Sequence, residues 1–137
     1  MALALSDQMQ LCVDASIKLK KRNDVTLGYA VIDRELVDLL IAIRDTGSVL
    51  DACKQQCISV RKGQRTMKRF VDCSGIELLQ HRGAYGTGLT EEGQQCIDLY
   101  VAAQYCVRQM VKEHMLPRAL PPLNQFPNEH DWNHRSL

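Results

Sequence analysis

Residues 46–71, TGSVLDACKQQCISVRKGQRTMKRFV, decide how the chain is read. Gly47 ends one helical pattern, and Ser48 follows at once as the N-cap of the next, with Asp51 three residues on in the arrangement of a capping box and favourable to the helix dipole. This second helix runs to about Gln56. A turn at Cys57-Ile58 leads to Ser59, another N-cap, which opens a third helix of about 12 residues ending near Asp72. Two short helices joined by so tight a turn have the form of a helix-turn-helix.

The charge on the third helix is one-sided. On a wheel of about 100° per residue, Gly63, Met67, Phe70 and Val71 share an arc with Val60, whereas Arg61, Lys62, Arg65, Lys68 and Arg69 occupy the other side. Gln64 falls near the boundary. From Lys54 to Val71 there are six basic residues and no acid, although the chain carries 17 Lys and Arg against 16 Asp and Glu. A solvated helix face ordinarily interleaves carboxylates for i,i+4 pairing. Uniform sign therefore points to a polyanion. Net charge is only +1, so the attraction depends on where the charges sit and not on their sum.

Working outward, residues 33–46 carry apolar side chains at 36, 37, 39, 40, 41 and 43 between Asp33 as N-cap and Gly47, which predicts a mostly buried first helix. Before it, Ala15, Ile17 and Leu19 alternate with polar residues. After a turn at Arg22-Asn23-Asp24, Val25, Leu27 and Tyr29 do the same, which predicts a β-hairpin. After the third helix, residues 76–82 suit a strand. Residues 83–88, GAYGTG, suit a hairpin tip, so this pair is the candidate wing. Thr90 caps a last helix that persists to Met115 before Pro117, about 37 Å at 1.5 Å per residue. All four prolines lie between 117 and 127, which makes the remainder a flexible tail. The fold class is α+β and mainly helical. Residues 1–14 form an N-terminal segment, 15–116 a winged helix-turn-helix domain that includes the long last helix, and 117–137 the tail.

The strand-turn-strand ASIKLKKRNDVTLGYA, the run ELVDLLIAIRDTGSVLDACKQQCIS and LTEEGQQCIDLY after the wing resemble the ModE-type winged helix-turn-helix, itself related to the LysR-type DNA-binding domain. The resemblance covers about residues 15–112. It implies a bacterial-type regulator of transcription that binds double-stranded DNA, with helix 59–71 in the major groove and the last helix pairing two subunits. The chain departs from that family at Val60, Gln64 and Arg65, where an aromatic Tyr, a Trp and an acid are usual, so base preference does not carry over. The resemblance stops short of the family's molybdate-binding domain, and no oxyanion sensing is expected.

Site residues follow from these readings. Arg61, Lys62, Gln64 and Arg65, in the N-terminal half of the third helix, are the candidates for base edges. Lys68, Arg69 and Arg82 are candidates for phosphate, as are Ser48 and Ser59 at helix starts, where backbone N–H groups face outward. Tyr85 on the wing reaches backbone or minor groove. Ile97, Tyr100, Gln104, Val107 and Val111 follow 3-4-3-4 spacing and predict a homodimer seam on the last helix. The competing reading of that stripe is packing against its own domain.

No cofactor and no enzyme site is expected, because GAYGTG lacks the Lys-Ser/Thr of a phosphate loop and does not lie in a βαβ unit. Cys12, Cys53, Cys57, Cys73, Cys96 and Cys106 contain no C-x-x-C pair and sit in apolar helical patterns, as free thiols do in a reducing compartment. The start MALALSDQMQ lacks the features of a signal peptide and no run is long enough to span a membrane, so a cytoplasmic protein without a membrane partner is expected. Two rivals remain open at this level. One is a protein-interaction module, such as an antagonist of another regulator, that turns the same basic face on an acidic protein partner. The other is a redox- or metal-responsive regulator that uses the cysteines.

Overall fold

A computed structural model describes residues 12–22 and 28–114. The chain divides into two compact units. Asp14–Gln104 form the larger, and the described residues of the other are 12–13 and 105–114.

The larger unit is organised around helix α1 (Arg34–Thr46). Asp33 sits in extended backbone and its carboxylate accepts from Leu36 N at 2.9 Å, satisfying one of the otherwise unpaired N–H groups of the first turn. At the other end Gly47 adopts φ 75°, and its N–H donates to Ile43 O at 2.8 Å. A left-handed residue at this point is the usual way a helix is closed, and glycine takes it without a Cβ clash. Between the caps Leu36, Val37, Leu39, Leu40, Ala42 and Ile43 are all buried. α1 packs against helix α2 (Val49–Gln55), helix α3 (Val60–Ser74) and the wing strand β4 (Thr87–Leu89).

The α2–α3 junction is as compact as the sequence predicts. Ser48 Oγ accepts from Asp51 N, and Ser59 Oγ accepts from Lys62 N at 3.1 Å. Between the helices Ile58 N donates back to Cys53 O at 3.0 Å. α3 runs past Asp72 to Ser74 and closes on Gly75, whose N–H donates to Val71 O. Its buried residues are Gly63, Met67, Phe70 and Cys73.

Both sheets are two-stranded and antiparallel. The first pairs β1 (Ile17–Leu19) with β2 (Ala30–Ile32) in the register Ile17↔Ile32. Of the expected second strand, Val25, Leu27 and Tyr29, only Tyr29 is described, and it precedes β2. Val25 and Leu27, with the turn residues Asn23 and Asp24, lie outside the described residues, and Tyr29 is half exposed just before the strand. The inward positions are Ala30 and Ile32, both fully buried.

The second sheet pairs β3 (Leu79–His81) with β4 in the register Leu79↔Leu89. β3 is shorter than the predicted 76–82, and residues 83–85 form a 3₁₀ turn in place of a simple tip, with Gly86 at φ 83°. The segment is shaped by its neighbour: Thr87 N donates to Gly47 O at 2.9 Å, which fastens the wing to the α1–α2 turn. Leu89 enters the core as expected. Thr90 Oγ1 accepts from Gly93 N and donates to Glu77 O, capping helix α4 (Glu91–His114) and tying its start to the approach to β3. Residues 1–11 and 115–137, including the predicted tail, lie outside the described residues. Four helices with two small hairpins, the second fastened beside a helix-turn-helix, make this a winged helix-turn-helix.

Candidate nucleic-acid interface

The tight α2–α3 turn sets one side of α3 against the core, with Gly63, Met67, Phe70 and Cys73 buried and Val60 and Val71 partly buried beside them. Gly63 is what allows the approach. A Cβ there would meet Cys53 Sγ, with Ile58 and Leu39 close behind. On the outer side of α3, Arg61, Lys62, Gln64, Arg65, Lys68 and Arg69 are all exposed.

Two of these cations have carboxylate partners. Lys62 Nζ lies 3.3 Å from Glu35 Oε1 on α1, and Lys68 Nζ lies 2.9 Å from Asp72 Oδ2 one turn on. The expectation of an unpaired basic face therefore fails at these two positions: Asp72 stands just past the acid-free run, and Glu35 comes from another helix. Exposed pairs of this kind are worth about 0–1 kcal/mol, which leaves both lysines able to exchange a carboxylate for a phosphate. Arg61, Arg65 and Arg69 have no carboxylate partner among the described residues. They stand at i, i+4 and i+8. Like charges at this spacing cost a helix a few tenths of a kcal/mol per pair.

Ser48 and Ser59 use their side-chain oxygens as cap acceptors, so each hydroxyl still has a proton to donate. At the wing Tyr85 is 87% exposed, and its peptide lies against Gly47, next to the Ser48 cap. Arg82 is more committed than the sequence suggested. Its guanidinium covers Gly88, with Nη2 3.5 Å from Leu89 O, and its other N–H groups keep donor capacity.

The predicted seam on α4 is divided. Ile97, Tyr100 and Gln104 are buried in the single chain. Tyr100 OH is 3.2 Å from Asp14 Oδ1, and Gln104 Nε2 donates to Ala15 O at 3.1 Å. These three side chains pack within their own domain. Val107 is 36% exposed and Val111 is partly buried. Leu99, Val101, Tyr105 and Met110 are also exposed on α4.

Cys53, Cys73 and Cys96 are buried, whereas Cys12, Cys57 and Cys106 are exposed. Burial pushes the Cys53 and Cys96 thiols above their ordinary range, which keeps them protonated and poor metal ligands. One basic cluster escaped the sequence reading. Lys18 and Lys20 both lie over the ring of Tyr29, at 5.5 and 5.6 Å. The alternation that marks β1 puts both lysines on its outer side, whereas the alternation after the turn puts Tyr29 on the apolar side of the hairpin.

No family model and no curated relative matches the chain. Among solved structures it is similar to the DNA-binding domain of CbnR in a complex with DNA, at 23% identity and a TM-score of 0.43 over 57% of this chain and 94% of that one. It is also similar to CbnR itself, a LysR family transcriptional regulator, at 21% identity and a TM-score of 0.43 over 58% of this chain. The aligned part spans 29% of the CbnR chain. No helix among the described residues is long and apolar enough to cross a membrane.

Proposed function

We propose that the protein is a sequence-specific regulator of transcription that binds double-stranded DNA, with α3 in the major groove. The observation that carries this reading is the row Arg61, Arg65 and Arg69: exposed, without carboxylate partners among the described residues, and on the outer side of the second helix of a helix-turn-helix. Three like charges in a row do nothing for the helix. They match the phosphates and guanine edges of a major groove that admits one helix.

In this docking Arg61, Lys62 and Arg65 face base edges, with Gln64 beside them. Lys68 and Arg69 meet phosphate, the hydroxyls of Ser48 and Ser59 donate to phosphate, and Arg82 and Tyr85 touch the backbone from the wing. The protein acts as a homodimer through α4 on a two-fold site. Selection from random duplex DNA tests the reading. An enriched palindrome supports it, and a failure to enrich any sequence contradicts it.

A further inference from the structure

Lys18, Lys20, Lys21 and Arg22 place four cations in the five positions 18–22, and all are exposed. None has a carboxylate partner among the described residues. Lys18 and Lys20 share the single ring of Tyr29, which is itself half exposed. A ring face attracts each ammonium by about 0.5–1 kcal/mol at an exposed site, yet it neutralises neither, so two like charges are held side by side in water. Such a pair is completed by an anion that spans both.

The pair stands next to α3. β2 packs on α3, and a cleft of about 250 Å³ runs between them, with Tyr29 and Val31 on one wall and Thr66 and Arg69 on the other. Lys21 lies along the end of the same helix, its Cε 3.2 Å from where a Cβ on Gly75 would be. The two acids that border the cleft are already engaged. The Asp33 carboxylate caps α1, and Glu35 pairs with Lys62. Tyr29, which holds Lys18 and Lys20, thus lines the same cleft as Arg69, the last of the arginine row.

The geometry points to the β1–β2 hairpin as a second contact with the duplex, in which Lys18 and Lys20, held together by Tyr29, grip the sugar–phosphate backbone next to the groove that α3 occupies. This rests on the reading of α3 as a DNA-recognition helix. The hairpin carries no base information. It adds affinity, and it adds to the number of counterions released.

The test measures affinity against salt for the full chain, on its selected duplex and on a scrambled one. In K18Q/K20Q the slope of log K against log salt becomes shallower by about 1.8, at about 0.9 per phosphate contact, and the ratio between the two duplexes is unchanged. K18R/K20R keeps the wild-type slope, which separates loss of charge from loss of fold. Y29L keeps the charge count and the slope but lowers affinity several-fold on both duplexes. Equal slopes for wild type and K18Q/K20Q overturn the proposal, and leave the recognition-helix reading standing if Arg65→Ala still relaxes sequence preference. A wild-type protein that binds no duplex overturns both. A hairpin variant that keeps its DNA slope but loses an acidic protein partner shows that the cluster serves protein contact instead.

Discussion

At Cys57 the backbone takes φ 57°, the one non-glycine among the described residues in the left-handed region. The helix-turn-helix needs that conformation to reverse the chain between α2 and α3, and a side chain there costs about 1–2 kcal/mol where glycine pays no such penalty. Cys57→Gly is expected to stabilise the fold by about 1 kcal/mol in urea titrations, part of the gain being lost to the greater freedom of the unfolded chain. Cys53 and Cys96 act through pH. Their raised folded pKa leaves stability unaffected below the ordinary thiol range and lowers it as pH rises through that range toward the folded values, because only the unfolded chain then ionises. Thermal melts from neutral to alkaline pH check this: the double replacement by alanine flattens part of the wild-type decline. On α3, Arg65→Ala is expected to cost about 1–3 kcal/mol on the best site and to relax preference at one base position. Lys68→Ala weakens all duplexes alike, with a salt slope reduced by about one unit. Fluorescence anisotropy on specific and scrambled duplexes separates the two, and the reverse pattern would invert the docking of α3.

At the scale of elements, the helices were legible because their boundaries are local. Asp33, Ser48 and Ser59 each bond an N–H three residues away, and Gly47 closes α1, so sequence spacing alone locates these ends. The strands were less legible because their limits are set at a distance. β2 starts at Ala30 since Ala30 and Ile32 reach the core, and the wing bends into a 3₁₀ turn where Thr87 meets Gly47 O. The partners of Lys62 and Lys68 escaped for related reasons, one lying on another helix and the other just past the basic run. Close α2–α3 packing gives its own prediction. Gly63→Ala drives a methyl group into Cys53 Sγ and is expected to destabilise by about 1–3 kcal/mol. Chemical denaturation of Gly63→Ala with and without Cys53→Ala checks it, since removing the sulfur should recover most of the loss.

For the molecule as a whole, α4 is the helix assigned to the proposed dimer. It has 24 residues, about 36 Å, and its buried residues run only as far as Gln104. Ile97, Tyr100 and Gln104 are packed within their own domain, so the proposed pairing of two copies is assigned to the exposed apolar residues Tyr105, Val107 and Met110. Light scattering at micromolar concentration is expected to give the dimer mass, and Val107→Lys with Met110→Lys to give the monomer. A wild-type monomer would remove the two-fold site from the proposal. If α3 reads duplex DNA through its arginine row, the affinity of wild type and R61Q/R65Q/R69Q for a selected and a scrambled duplex across salt concentration will differ. The wild type should prefer the selected duplex and lose affinity steeply with salt, whereas the triple variant should lose both the preference and much of the slope. Equal binding of the two proteins to both duplexes, at every salt concentration, would contradict that role of α3.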